Sequence, residues 1–409
     1  PTSSLGGRKR PGNTESHYRG LTEVHSRRKY DTRANLSYMA ATSDYLERIT
    51  RAQVHMQELG IDLMLVTPSA DLRYLIGYNA IPLERVTALV ISPHTTPFLV
   101  VPRLEVSTAC ASPFGELGWE VFGWAENDNP YGIIREVSGF SEGRVAVNNH
   151  MWAERVLKIS EHFPKAHIEL AAPIIGAIRI TKTPTELDFL REAASAIDRV
   201  HAQVPNLLQV GRTEEEVGRD ISELILAEGH VRVDFVIVAS GPNGASPHHE
   251  LSNRVINAGD PVVVDIGGTM PSGYCSDCTR TYSMGDPGSE YVKRYEILQR
   301  AQELSTQAVY SGATSHNIDA AGRNELAKSD LAQYFIHRTG HGIGLETHEE
   351  PYIGENNETV IENDMVFSIE PGFYIEGVHG ARIEDIVICT PEGPEVINNQ
   401  TRDLVIIEI

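Results

Sequence analysis

The chain has 409 residues, 41% of them hydrophobic and 22% charged, with a formal charge of −21 at pH 7. That length is enough for two cores, and the acidic excess argues against a nucleic-acid partner, because a polyanion is repelled by it. No apolar run is long enough to span a bilayer, and four cysteines do not make a disulfide framework, so reduced thiols and a cytoplasmic setting are expected.

Residues 1–38 are polar and basic, with no sustained apolar period and no apolar core of a secretory signal. They read as a disordered extension, with Met39 as an alternative start. An amphipathic helix, "DYLERITRAQVHMQELG", then leads into the apolar run "IDLMLVTP", which reads as a buried strand. Further strands are expected at "ALVISP", "PFLVVP", "WEVFGW", "RVAVNN" and "HIELAAP", with helical stretches between several of them. Such alternation indicates an α/β domain over residues 39–176, and nothing in it carries catalytic chemistry.

In "TKTPTELDFLREAASAI", Thr183 and Glu186 have capping-box spacing and Pro184 sits at the first helical position. A second box, Thr213 with Glu216, starts another helix. Glycine-punctuated strands follow: "VDFVIVASG", "DPVVVDIGG", "CSDCTRTYSMG", "MVFSIEPG" and "ARIEDIVICT". Residues 177–409 are therefore expected to form an α+β domain with a largely antiparallel sheet.

Four acids lie inside or at the end of those strands: Asp265, Asp277, Glu370 and Glu384. Asp265 follows three valines, where a charge is costly unless paired or metal-bound. Arg382 and Glu384, two residues apart, project to one face. A single such acid is most often half exposed or paired with arginine. Four converging in one core would repel by about 4 kcal/mol per pair at 4 Å and an effective dielectric near 20, and two divalent cations would cancel that repulsion. His341, set among glycines, would complete an oxygen-rich set that suits Mn²⁺ better than a structural zinc.

The order Asp265, Asp277, His341, Glu370, Glu384 resembles the pita-bread metallopeptidases, which include methionine aminopeptidase, aminopeptidase P, prolidase and the metal-free creatinase. "DLRYLIGY" is similar to the amino-terminal domain of that family, "IRITKTPTELDFLREAA" to its interdomain segment, and "HRTGHGIGLETHE" to the signature of its proline peptidase branch. Thr347 departs from the usual Ile or Val, a conservative β-branched change. The resemblance implies a creatinase-like amino-terminal domain and a pita-bread catalytic domain with a curved sheet. It implies two divalent ions, Mn²⁺ first and Co²⁺, Zn²⁺ or Fe²⁺ as alternatives. Asp265 would chelate one ion, His341 and Glu370 would bind the other, and Asp277 and Glu384 would bridge them.

By the same resemblance, a water between the ions becomes a bridging hydroxide nucleophile, with Glu370 as the proton shuttle. His248 and His348 would hydrogen-bond the peptide and stabilise developing charge. His337 would shape the proline pocket, or else be a satisfied core histidine. Arg382 would pair with a bridging carboxylate beside the substrate, and His249 reads as a bystander. Cys275 shares the face of Asp277 by alternation and Cys278 does not.

The expected activity is a dinuclear metal-dependent exopeptidase of the Xaa-Pro dipeptidase kind, acting on short proline-containing peptides as a homodimer or homotetramer. The alternatives are an aminopeptidase P, a non-peptide C–N hydrolase of the creatinase or ectoine hydrolase type, and a non-catalytic binding module. The last two are disfavoured by the intact ligand pattern.

Overall fold

The computed structural model describes residues 32–409, with side chains described from residue 43 onward. Up to residue 31 the expected extension lies outside the described residues. Residues 32–38 belong to the first helix, Thr32–Leu59, which begins a dozen residues before its amphipathic pattern becomes legible.

The first domain is built on a six-stranded mixed sheet in the order β4-β3-β2-β1-β5-β6. Its strands are β1 (Leu63–Val66), β2 (Ala88–Ile91), β3 (Phe98–Pro102), β4 (Val121–Trp124), β5 (Glu142–Val147) and β6 (Lys165–Leu170), as the apolar runs indicate. The central strands are buried on both faces. Met64 and Val66 pack with Ile49 and Met56 of the first helix and with Ile174 and Ile178 of the helix Ala172–Arg179. Leu63 and Leu65 face Tyr131, Ile134 and Ile159 on the opposite side. Helices on both faces give an α/β/α layering.

The second domain begins with the helix Pro184–His201, whose Thr183 Oγ1 accepts from Glu186 N (3.4 Å) while Glu186 returns a carboxylate oxygen to Thr183 N (2.8 Å). The helix Glu214–Ala227 opens on the second capping box, Thr213 with Glu216. These helices cover one face of the sheet β17-β9-β8-β7, made from β7 (Arg232–Ser240), β8 (Pro261–Thr269), β9 (Cys275–Met284) and β17 (Val405–Ile407). Val262, Val264 and Ile266 point to the helices, along with Cys278 and Tyr282. Period-two alternation sends Val263, Asp265 and Gly267 to the other face. In the antiparallel register Asp265 lies opposite Thr279, and Gly267 opposite Asp277.

A second sheet runs β11-β10-β12-β15-β16, from β10 (Gly340–Gly342), β11 (Glu349–Ile353), β12 (Val366–Ile369), β15 (Asp385–Thr390) and β16 (Gly393–Val396). A two-stranded ribbon pairs β13 (Gly372–Ile375) with β14 (His379–Arg382). All pairings in this domain are antiparallel except β17 with β9. One expectation needs correcting: "ARIEDIVICT" is not one strand. The chain leaves the ribbon at Arg382 and enters the second sheet at Asp385, so Glu384 sits at the crossing, where its N–H donates to Thr279 O of β9 (3.2 Å).

A buried ion cluster joins the two domains. Arg179 reaches Asp71 (2.6 Å), Glu346 (2.9 Å) and Glu349 (2.5 Å), while Lys182 donates to the other oxygen of Glu349 (2.7 Å). Among the described residues no helix is long and apolar enough to cross a membrane.

Candidate active site

Asp265 and Asp277 enter the site from neighbouring strands as a diagonal pair on the face that the helices leave free. His341 comes from β10, Glu370 from the end of β12, and Glu384 from the crossing after β14. Asp277, His341 and Glu384 each place one donor atom within 4.8 Å of the others. Glu370 Oε1 lies 3.1 Å from His341 Nε2, and Asp277 Oδ2 lies 3.7 Å from the same nitrogen. The structure thus brings the five expected residues to one place, four of them buried and Glu370 half-buried.

The two glycines beside His341 are dictated by contact. A Cβ on Gly340 would stand 1.8 Å from Ser368 O, and one on Gly342 would stand 2.2 Å from Glu350 O. Only glycine lets β10 pass this closely between its neighbours. Ser368 then accepts from His341 N and donates to Glu370 Oε1, both at 3.0 Å.

The donor set fits divalent cations on three grounds. His341 Nδ1 donates to Gly342 O (3.1 Å), so in the neutral ring Nε2 is an acceptor, yet it faces carboxylate oxygens that also only accept. Asp265 Oδ1 and Glu384 Oε1 are buried with no hydrogen-bond partner, which is costly unless a cation meets them. Burial, reinforced by neighbouring carboxylates, pushes Asp277 and Glu384 well above the usual carboxylate range. Burial would raise Glu370 too, but a proton on His341 Nε2, in the position a cation would otherwise take, outweighs it and lowers the Glu370 pKa.

Arg382 pairs with Asp265, the residue expected to chelate one ion, and not with an expected bridging carboxylate. Arg382 and Glu384 do share a face: Thr279 Oγ1 accepts from Arg382 Nε (3.1 Å) and donates to Glu384 Oε2 (2.7 Å). Arg382 also donates to Tyr374 OH (2.7 Å). Burial holds His337 below its ordinary pKa, and its Nδ1 donates to Arg338 O (2.7 Å). Its Nε2 therefore accepts from Tyr374 OH (2.9 Å), which makes a directed chain from Arg382 through Tyr374 to His337.

His348 packs edge-on against His341, with ring centroids 4.1 Å apart. Burial is the main cause that lowers its pKa, to about 4, so it is neutral at pH 7. His248 is exposed, on the segment after β7, and near enough to His337 and His348 to interact electrostatically with both. His249 points elsewhere and binds Glu214 (2.8 Å).

The cysteines obey alternation. Cys275 lies near Thr269 (3.8 Å) and Thr347, and burial raises it to about 11. Cys278 packs on the helix side, although its thiol reaches Glu384 O (3.6 Å).

Thr279, Ser368 and Tyr374 were not singled out from the sequence. Thr279 and Ser368 each stand two residues from a site acid on the same strand face, a signal that alternation offers. Tyr374 has no such signal, because only the β13–β14 pairing carries it to Arg382.

Residues 188–391 match the family model described as metallopeptidase family M24, and residues 48–181 match the creatinase/prolidase N-terminal domain. The chain is 47% identical over 365 residues to the probable dipeptidase PepE of Mycobacterium tuberculosis, covering 89% of this chain and 97% of that one. It is 31% identical over 372 residues to the Xaa-Pro dipeptidase of Lactobacillus helveticus, covering 88% and 99%. Similar solved structures include dipeptidase PepE from Mycobacterium ulcerans, with a TM-score of 0.87, 46% identity and coverage of 90% and 99%. A recombinant prolidase from Thermococcus sibiricus has a TM-score of 0.83, 36% identity and coverage of 89% and 99%.

Proposed function

The chain belongs to metallopeptidase family M24, and on that premise we propose that it hydrolyses Xaa-Pro dipeptides as a metal-dependent exopeptidase. The observation that carries this reading is the convergence of Asp265, Asp277, His341, Glu370 and Glu384, with two buried carboxylate oxygens unpartnered. The names of the relatives support the substrate class, which comes to this chain as part of the proposal.

Those five residues would hold two divalent ions, with Mn²⁺ favoured by a set of four carboxylates and one imidazole. When bound, the ions would activate a water and polarise the scissile carbonyl. Glu370, whose Oε1 lies 3.1 Å from His341 Nε2, is the chain's acceptor for the proton lost from the attacking water and its donor to the departing proline nitrogen. His348, neutral at pH 7, and His248 would hydrogen-bond the substrate's carbonyl and carboxylate. Arg382 fixes Asp265 through its guanidinium and, through Tyr374, orients His337 beside the proline ring.

The Xaa-Pro bond has no N–H and the ring fixes φ, so recognition must come from ring shape and from the free ends of the substrate. A homo-oligomer and a cytoplasmic setting belong to the same proposal, and the latter accords with four unpaired cysteines.

The test is to strip the protein of metal, reload it with Mn²⁺ and offer an Xaa-Pro dipeptide and a tripeptide with proline second. Metal-dependent cleavage of the dipeptide alone is expected. Attack on the tripeptide would make the enzyme an aminopeptidase P, and no cleavage of either with metal bound would remove the proline-peptidase reading.

A further inference from the structure

Glu214 is the first residue of the helix Glu214–Ala227, and it is fully buried. A buried carboxylate at this position needs partners, and it has an unusual number of them. Ser252 Oγ donates to Oε2 at 2.6 Å and His249 Nε2 lies 2.8 Å from the same oxygen. Ser240 donates to Oε1 through both its N–H and its hydroxyl, each at 2.7 Å. Asn243 Nδ2 bridges both oxygens at 3.1 and 3.0 Å. Burial works against the charge, but these hydrogen bonds outweigh it and hold the carboxyl below its ordinary pKa.

The donors all come from one stretch, residues 240–252, which runs from the end of β7 into the segment leading to β8. Backbone bonds reinforce the attachment: Glu214 N donates to Arg254 O (3.1 Å) and Glu215 N to Ser252 O (3.1 Å). Nothing in the metal centre touches Glu214, so the ligand set gives no reason to invest a buried charge here.

His248 supplies the reason. It is exposed, and its neighbours in sequence on both sides are fastened. Pro247 O accepts from Arg382 Nη1 (3.2 Å), the guanidinium that also grips Asp265. On the other side His249 is held by Glu214. One anchor belongs to the site and the other to the helix layer, and His248 stands between them. A single-anchored segment would leave this imidazole free to swing, whereas two anchors fix its backbone on both sides.

We propose that Glu214 is a positioning residue that locks residues 240–252 to the helix layer and thereby sets His248 on the substrate side of the site. It gives His249 a structural purpose and makes Ser240, Asn243 and Ser252 parts of one device. The inference rests on the substrate role given above to His248.

The experiment is a double-mutant cycle on the full, Mn²⁺-loaded chain: wild type, Glu214→Gln, His248→Ala and the pair, assayed for kcat and KM on an Xaa-Pro dipeptide. Ser252→Ala, which removes only one donor, serves as a second probe if Glu214→Gln does not fold. Losing a charge-assisted acceptor should lower kcat/KM about tenfold in the chain that has His248. In the His248→Ala background the loss should fall below about twofold, because residues acting as one unit are not additive.

Hydrogen exchange is the second readout: Glu214→Gln should speed exchange at amides 241–252 while bound metal per chain is unchanged. Equal losses in both backgrounds, or a His248→Ala variant that matches wild type, would overturn the proposal. Absence of wild-type turnover would be a failure of the substrate reading instead, and hydrogen exchange would then decide, with unchanged protection of 241–252 overturning it.

Discussion

Lys182→Met is the sharpest probe of how the two domains hold the site together. The Lys182 side chain is 1% exposed and its ammonium donates to Glu349 Oε1 at 2.7 Å, while Arg179 holds Oε2 at 2.5 Å. Glu349 follows His348, whose ring packs on His341, so this cluster fixes the strand entry that carries a substrate-side histidine. Removing one partner of a buried pair costs about 3–5 kcal/mol, because the remaining charge is left uncompensated. Arg179 stays in place, so the lower end, about 3 kcal/mol, is expected. Adding Glu349→Gln removes the stranded charge, and the double variant should be at least about 1 kcal/mol more stable than the summed single effects allow.

The assay is urea unfolding at pH 7, followed by tryptophan fluorescence and far-ultraviolet circular dichroism. Burial acts to raise the Glu349 pKa, but Lys182 and Arg179 overcome that and hold it below the ordinary 4.5. A depressed folded pKa means its stabilisation is present above pH 4.5 and is lost as pH falls through the folded value. The gap between wild type and Lys182→Met should therefore shrink in acid. A cost below about 1 kcal/mol at pH 7, with an additive cycle, would refute the reasoning.

Three other outcomes are expected. Tyr374→Phe breaks the chain from Arg382 to His337; the stranded buried groups should lower the unfolding midpoint by the equivalent of about 1–3 kcal/mol and kcat/KM should fall about tenfold in the protein that remains folded, and activity within twofold of wild type would count against the chain's role. Asp277 and Glu384 have raised folded pKa values, so the metal-free protein should lose stability as pH rises above about 4 to 5; Mn²⁺ should restore it and release protons to an indicator dye, and a pH-independent melting temperature would contradict this. Gly340→Ala puts a methyl 1.8 Å from Ser368 O; strand separation should lower the unfolding midpoint by the equivalent of about 1–3 kcal/mol and weaken Mn²⁺ binding by calorimetry, and wild-type binding would show the approach to be dispensable.

The sequence by itself determined the local order and the chemistry. Apolar runs marked the strands from β1 to β8, glycine punctuation marked β9, and two capping boxes marked helix starts at Pro184 and Glu214. Acids placed against valine runs marked a centre, because a charge in a strand core is costly without a partner. Alternation assigned Cys275 and Cys278 to opposite faces. These are short-range signals, set by periodicities of 2 and 3.6.

Tertiary structure decided what depends on contacts between distant segments. The break at Ile383–Glu384 is invisible in "ARIEDIVICT", because its residues are equally strand-like on either side and only a change of sheet separates them. The choice of Asp265 as the partner of Arg382, 117 residues away, follows from how the ribbon packs across β8. The recruitment of Tyr374 has the same origin, and so does the convergence of four separate donors on Glu214. Pair formation between side chains far apart in sequence is set by the packing of whole sheets and helices, for which no single segment carries a code.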